Sequence, residues 1–171
     1  ADAEDRKGLS MSRPGETNRI TDIAGICIGN AHDAAINTGT SVILCEAPCV
    51  GAVAVAGGGP GTRETDLLEA DKLVDHVDAV VLSGGSAYGL GAADGVAAVL
   101  GAQGRGLALV HRPNVPKTPI VPAAILYDLA NGGDKGWGDT PPYPMLGRTA
   151  LADADASPFA LGRSGAGYGA R

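Results

Sequence analysis

The sequence predicts an α/β fold, and three observations carry that expectation. Apolar runs of strand length recur along the chain, TSVILCE at 40–46 and AVVLS at 79–83 among them. The segment after the second run sets Leu90, Ala93, Val96, Ala97 and Leu100 on one helical stripe. With 27 glycines, abundant alanine and only 4% aromatic residues, the core must bring backbones close together, as tightly layered strands and helices do. A chain of 171 residues, 44% hydrophobic and 19% charged, supplies enough apolar surface for one domain with a sizeable core.

In chain order, a polar arm covers 1–17 and lacks the apolar centre of a signal peptide. ITDIAGICIGNA (20–31) alternates apolar with small or polar residues, which suits a strand. TSVILCE and VGAVAVA (50–56) then read as a hairpin or meander joined by APC at 47–49. GGGPGTRETDLL (57–68) opens as a loop. Asp66 with Glu69 resembles a capping box, predicting a helix that buries Leu67, Leu68, Val74 and Val77 and ends near 75–78. AVVLS is wholly apolar and is expected to be covered on both faces. In the helix that follows, Gly91 and Gly95 lower the propensity, so a neighbouring element should pack closely there. GLALVH (106–111) suits another strand. PNVPKTPIVP (113–122), with four prolines, is an extended connection to the apolar run AAILYDLA (123–130). A polar loop at 131–144, a short helix around 148–156 and a glycine-rich stretch at 162–171 complete the chain.

The formal net charge of −6 comes with no basic stripe and no Arg-rich arm, which argues against a nucleic-acid or anionic-membrane surface. No apolar run approaches the roughly 20 residues that span a bilayer. Cys27, Cys45 and Cys49 are an odd count set in apolar runs, which suits buried free thiols in a reducing cytoplasm. The Cys45–Cys49 spacing lacks a second ligand pair, so neither a metal nor a cofactor is expected.

VVLSGGSAYGL (80–90) is the most suggestive stretch. GGSAYG fits neither the dinucleotide fingerprint nor the Walker loop, and its last glycine falls one residue too late for a nucleophile elbow. His32, His76 and His111 have no compelling acidic companion for a triad. Ser86 is therefore read as a helix N-cap, with donation of turn N–H groups to an anion or carbonyl left open. Tyr127 draws attention because a Tyr–Asp pair closing an apolar strand puts a hydroxyl where core gives way to cleft; its bland alternative is a buried tyrosine with one hydrogen bond. Arg63 and Glu64 are read by default as a surface pair. The residues alone thus reach an α/β domain with glycine-rich loops and no complete catalytic set.

GGGPGTRETDLL, VVLSGGSAYGLGAADGV, VPKTPIVPAAILYDL and GRSGAGYGA, in that order and spacing, resemble the N-terminal half of a self-processing peptidase family. That family includes the L-aminopeptidase/D-amidase-esterase, the β-peptidyl aminopeptidases and the nylon-oligomer endohydrolase. The resemblance covers Asn18 to Arg171. It implies the αββα sandwich of the aminopeptidase/ornithine acetyltransferase-like fold, with 18–171 as the alpha portion of one catalytic domain. It further implies that a precursor cuts itself before a Ser or Thr, which becomes the nucleophile at the start of a companion beta chain. Its freed α-amine has a near-neutral pKa and can act as base for its own hydroxyl.

By the same resemblance, Tyr127 assists at the reacting carbonyl. Gly84, Gly85, Ser86, Tyr88, Arg63 and Ile125 belong to the substrate cleft. The substrate would be a small peptide or amide oligomer, and the assembly a homo-oligomer of αβ units. The family's nucleophile, and the Lys and Asn preceding the cut, are not in this sequence. The resemblance therefore places the end of the chain before the cleavage point. Where the aminopeptidase branch carries an acidic residue two positions before the Tyr, this chain has Ile125, which leans toward the amide-oligomer branch.

Overall fold

The computed structural model describes residues 13–170; the first twelve residues of the polar arm lie outside them. Five strands form one mixed sheet. They are β1 (Ile26–Asp33), β2 (Thr38–Cys49), β3 (Thr62–Arg63), β4 (Val77–Ser83) and β5 (Ala123–Ile125), in the order β1-β2-β4-β5-β3. All neighbours pair antiparallel except β4 and β5, which are parallel. The connection between those two carries α1 (Ala92–Ala102), as a parallel crossover requires; α2 (Tyr143–Ala152) follows β5.

The β1–β2 turn is built by Asp33, whose Oδ1 accepts the Ala35 and Ile36 amides at 2.8 and 3.0 Å. Asn37 closes it in the left-handed region at φ 60°. Strand pairing aligns Val42 with Val81 and Val81 with Ala123. These residues join Ala79 and Ala31 in a core with Ala92, Ala93, Val96 and Leu100 of α1 and Tyr143, Leu146, Ala150 and Leu151 of α2. Both helices thus cover one face of the sheet. The opposite face carries Ile43 beside Val80 and Ser41 beside Leu82, and Leu82 is 42% exposed. The expectation that AVVLS is covered on both faces is therefore corrected: the helices bury Ala79, Val81 and Ser83, whereas Leu82 faces outward.

The close approach expected at the helix glycines is present. A β-carbon on Gly95 would overlap the Pro144 carbonyl, and one on Gly147 would overlap the Ala92 carbonyl, so α1 and α2 meet through bare backbone.

Several elements differ from expectation. The strand foreseen at 20–31 starts only at Ile26, after a single 3₁₀ turn over Ile20–Asp22. TSVILCE does not pair with VGAVAVA: β2 runs on through Pro48 to Cys49, and 50–56 form no strand. The register of β2 against β4 shifts between Leu44 and Cys49, an irregularity of the kind that tolerates a proline lacking its N–H. The helix foreseen from Asp66 is one 3₁₀ turn, Asp66–Leu68 preceded by Thr65, and Val77 opens β4 instead. Helical spacing from Leu67 and Leu68 would put Asp71 and Lys72 on the buried side, and Leu73 is 95% exposed. Leu67, Leu68 and Val74 pack singly against Cys45, Val77 and Ile120.

GLALVH makes only the Leu107–Thr118 bridge and leaves Leu109 and Val110 exposed. The last helix begins at Tyr143, five residues before the predicted segment, because Pro144 sits in the first turn, where its missing N–H costs nothing.

Candidate active site

The site is built where β4 and β5 end side by side. Beyond Ser83, three successive amides are each committed. Gly84 N–H donates to the Gly39 carbonyl at 2.9 Å, Ser86 N–H to the Leu126 carbonyl at 3.0 Å, and Gly85 N–H to Asp128 Oδ1 at 2.7 Å. These three amides are therefore not free to meet an anion or carbonyl, and the bonds do not involve the amides of the helix start beyond Ser86. Gly85 takes φ 90°, and the Tyr143 ring occupies the space where its β-carbon would be.

Ser86, at φ 51°, is the first residue of a 3₁₀ segment (Ser86–Gly91) leading into α1. The cap position belongs to Gly85 and carries no side-chain cap bond, so the N-cap reading of Ser86 is corrected.

Tyr127 is 68% exposed, which overturns its bland alternative of burial in the core. With Asp128, Ala130, Asn131 and Gly169 it lines a pocket of about 230 Å³. Asp128, the next residue, is 2% exposed and accepts the Thr38 hydroxyl on Oδ2 at 2.6 Å. Behind Thr38 stands the fully buried Tyr143, its hydroxyl 3.5 Å away; burial, with the Asp128 charge adding, raises its phenol pKa against the lowering contact of Thr38.

The glycine-rich 162–170 segment closes the pocket's far side. Asn131 Nδ2 donates to the carbonyls of Asn37 and Gly169 at 2.9 and 2.6 Å, and Asn37 Nδ2 returns a bond to the Asn131 carbonyl at 3.0 Å. Arg163 donates to Asn37 Oδ1 at 3.2 Å and lies over the Tyr168 ring.

The remaining predicted residues divide. Ile125 is half-buried, donates its N–H to Gly61 O at 3.0 Å, and fills the space a β-carbon on Gly61 would need. Tyr88 is 54% exposed and meets Trp137 edge to face at 5.9 Å; Trp137 meets Tyr143 in the same manner. Arg63 is not among the residues lining the Tyr127 pocket. It sits on the short strand β3 and pairs with Asp94 of α1 at 2.5 Å rather than with Glu64, whose carboxylate accepts the Val121 amide at 3.4 Å. Thr38, Asn37, Asn131, Tyr143 and Gly169 escaped the sequence reading. Asp128 was visible only as the acidic half of the Tyr–Asp pair, and a lone acid inside an apolar run was the signal that it would be buried with partners.

Other chemistries find little footing. His32 stacks on Tyr168 at 4.1 Å and His76 bonds Asp75, so neither stands as base to Ser86. Burial pushes the Cys45 thiol up to about 12, and burial with the Glu46 charge raises Cys27, which keeps both protonated and poor nucleophiles. Among the described residues no group of three or more His, Cys, Asp or Glu is placed to hold a metal, and no helix is long and apolar enough to cross a membrane. A larger cavity of about 400 Å³ lies beside His32, Asp153 and Phe159 and contains none of the predicted site residues.

The chain belongs to peptidase family S58, whose model matches residues 18–171. It is 44% identical over 167 residues to an uncharacterized aminopeptidase of Mycobacterium leprae, covering 90% of this chain and 44% of that protein. To a 6-aminohexanoate-oligomer endohydrolase of Kocuria it is 33% identical over 157 residues, covering 91% and 39%. Among solved structures, a β-aminopeptidase of Burkholderia superposes with a TM-score of 0.66 at 20% identity, covering 95% of this chain and 45% of that one. The L-aminopeptidase/D-Ala-esterase/amidase of Ochrobactrum anthropi gives 0.66 at 19% identity, covering 92% and 46%. The fold is thus the one shared by these aminopeptidases, and the chain spans 44% and 39% of the two curated relatives named.

Proposed function

We propose that this chain is the alpha part of an autoprocessed amide hydrolase and that Tyr127 serves its reacting centre. A Ser or Thr at the start of a companion beta chain, cut from the same precursor, attacks the amide carbonyl. Its own α-amine takes the hydroxyl proton. Tyr127 donates its hydroxyl to the oxyanion as charge develops there. Small peptides or amide oligomers are the substrates; Ile125, apolar where an amine-binding acid would be charged, favours oligomers of the 6-aminohexanoate type. The enzyme works in the cytoplasm as an oligomer of αβ units.

One observation carries this reading. The Tyr127 ring is held out at a pocket while its neighbour Asp128 is locked into the core. The sheet face opposite the helices supports it: Leu82 is 42% exposed there, where a second sheet would complete an αββα sandwich. An anion- or nucleotide-binding module fits less well, because the amides of Gly84, Gly85 and Ser86 are already bonded and GGSAYG matches neither nucleotide-loop pattern.

Intact-mass analysis with N-terminal sequencing of the full-length gene product tests the processing. A second polypeptide starting with Ser or Thr is expected, and an uncut protein refutes it. Tyr127→Phe in the processed enzyme should lower kcat by about 10²-fold, as for loss of one oxyanion donor. An unchanged kcat removes Tyr127 from the chemistry.

A further inference from the structure

We propose that Asp128 is a positioning residue that acts on catalysis through Tyr127. The proposal rests on the role given to Tyr127 above and extends it to the group that aims the phenol. Two anchors flank Tyr127 in the chain. On one side Leu126 is fastened to the turn after β4: its N–H donates to Ser83 O, and its carbonyl accepts the Ser86 amide, both at 3.0 Å. On the other side the Asp128 side chain reaches both β2 and the turn. Its Oδ2 accepts the Thr38 hydroxyl and its Oδ1 accepts the Gly85 amide.

Bare backbone closes around that carboxylate: β-carbons on Gly84 or Gly169 would collide with Oδ2, the latter at 2.6 Å. Asp128 therefore has no second place to go, and the residue before it is forced outward. No cationic side chain pairs with Asp128 among the described residues. A buried carboxylate with only neutral donors is an expensive way to join three segments. A purely structural tie could be made from neutral groups. The charge strengthens each bond and so narrows the angular range left to the neighbouring Tyr127.

The test uses the processed full-length enzyme and a 6-aminohexanoate oligomer, with release of amine measured. Asp128→Asn should lower kcat about 10-fold with KM within about twofold, as when charge-assisted bonds become neutral ones. In a Tyr127→Phe background the same change should cost less than about twofold, because the group being aimed is gone. Thr38→Ser should retain activity and Thr38→Val should match Asp128→Asn. If Asp128→Asn does not fold, Thr38→Val, which removes the bond to Asp128 and the long contact to the Tyr143 hydroxyl, carries the same cycle. Losses as large in the Tyr127→Phe background as in the wild type make Asp128 a structural residue only and overturn the proposal. An Asp128→Asn enzyme of wild-type kcat does the same. A processed wild type that releases no amine from the oligomer or from small peptides refutes the hydrolase reading itself, an outcome distinct from additive losses in an active enzyme.

Discussion

Replacing Gly95 with alanine sets helix propensity against packing, and the structure decides the sign. In an exposed helix the change gains about 1 kcal/mol, since alanine loses less backbone entropy. At Gly95, however, the new β-carbon would overlap the Pro144 carbonyl oxygen and lie 2.9 Å from its carbon and 3.2 Å from Pro144 Cα. Ordinary contacts of this kind lie at 3.4–4 Å, and the carbonyl oxygen is the nearest atom of all, so α1 and α2 must part by more than about 1 Å. These are backbone atoms of the first turn of α2, and no rotamer can move them aside. Separation would loosen Ala92, Val96, Leu146 and Ala150, all in one buried cluster. Overpacking of this sort costs about 3 kcal/mol at its upper range, leaving a net loss of about 2 kcal/mol. For a domain of this size that is a fall in Tm of roughly 4–8 °C.

Gly101→Ala is the matched control. It lies in the same helix, but its β-carbon would meet the Pro119 ring at 3.6 Å and the Lys117 carbonyl at 3.9 Å, both ordinary contacts, so propensity should win and Tm should rise. Thermal and denaturant unfolding of the two variants measure the pair. If Gly95→Ala is as stabilising as Gly101→Ala, backbone contact between the helices is not what demands glycine at 95.

Two other perturbations test the core and the thiols. Arg105 donates to the Cys45 carbonyl at 2.6 Å and stands 3.6 Å from the nearly buried Asp78; Arg105→Ala should destabilise by about 3 kcal/mol in denaturant titration, because it strands that carboxylate. Alkylation at pH 8 should modify Cys49 first and spare Cys45 until the protein unfolds, as read by peptide mass mapping. Because the Cys45 thiol is raised from 9.0 to about 12 in the folded state, unfolding releases a proton above pH 9. Its contribution to stability is full below that pH and is lost as pH climbs toward 12; replacing Cys45 with alanine should flatten this alkaline decline.

What the sequence made legible was local. The stripe through Val96 and Leu100 and the demand for a close neighbour at Gly95 both follow from spacing within a dozen residues, and both are present. The failures share the opposite property. VGAVAVA has strand composition yet no strand to pair with, because β2 passes through Pro48 at an irregular register that only β4 defines. Leu67, Leu68 and Val74 find burial one at a time against Cys45 and Ile120, contacts no local periodicity encodes. The candidate site lies at the same limit. Tyr127 could be singled out because a hydroxyl and an acid interrupt an apolar run. The partners that give Asp128 its place, Thr38 and Gly85, lie 90 and 43 residues away, and nothing in AAILYDLA points to either. The glycines at 84, 85 and 169 carry no local sign of what demands them for the same reason. Their meaning depends on the carboxylate and the ring that occupy the space their side chains would need. A glycine-rich turn in such a chain is therefore better examined for what is packed against it than for the ligand its amides could hold.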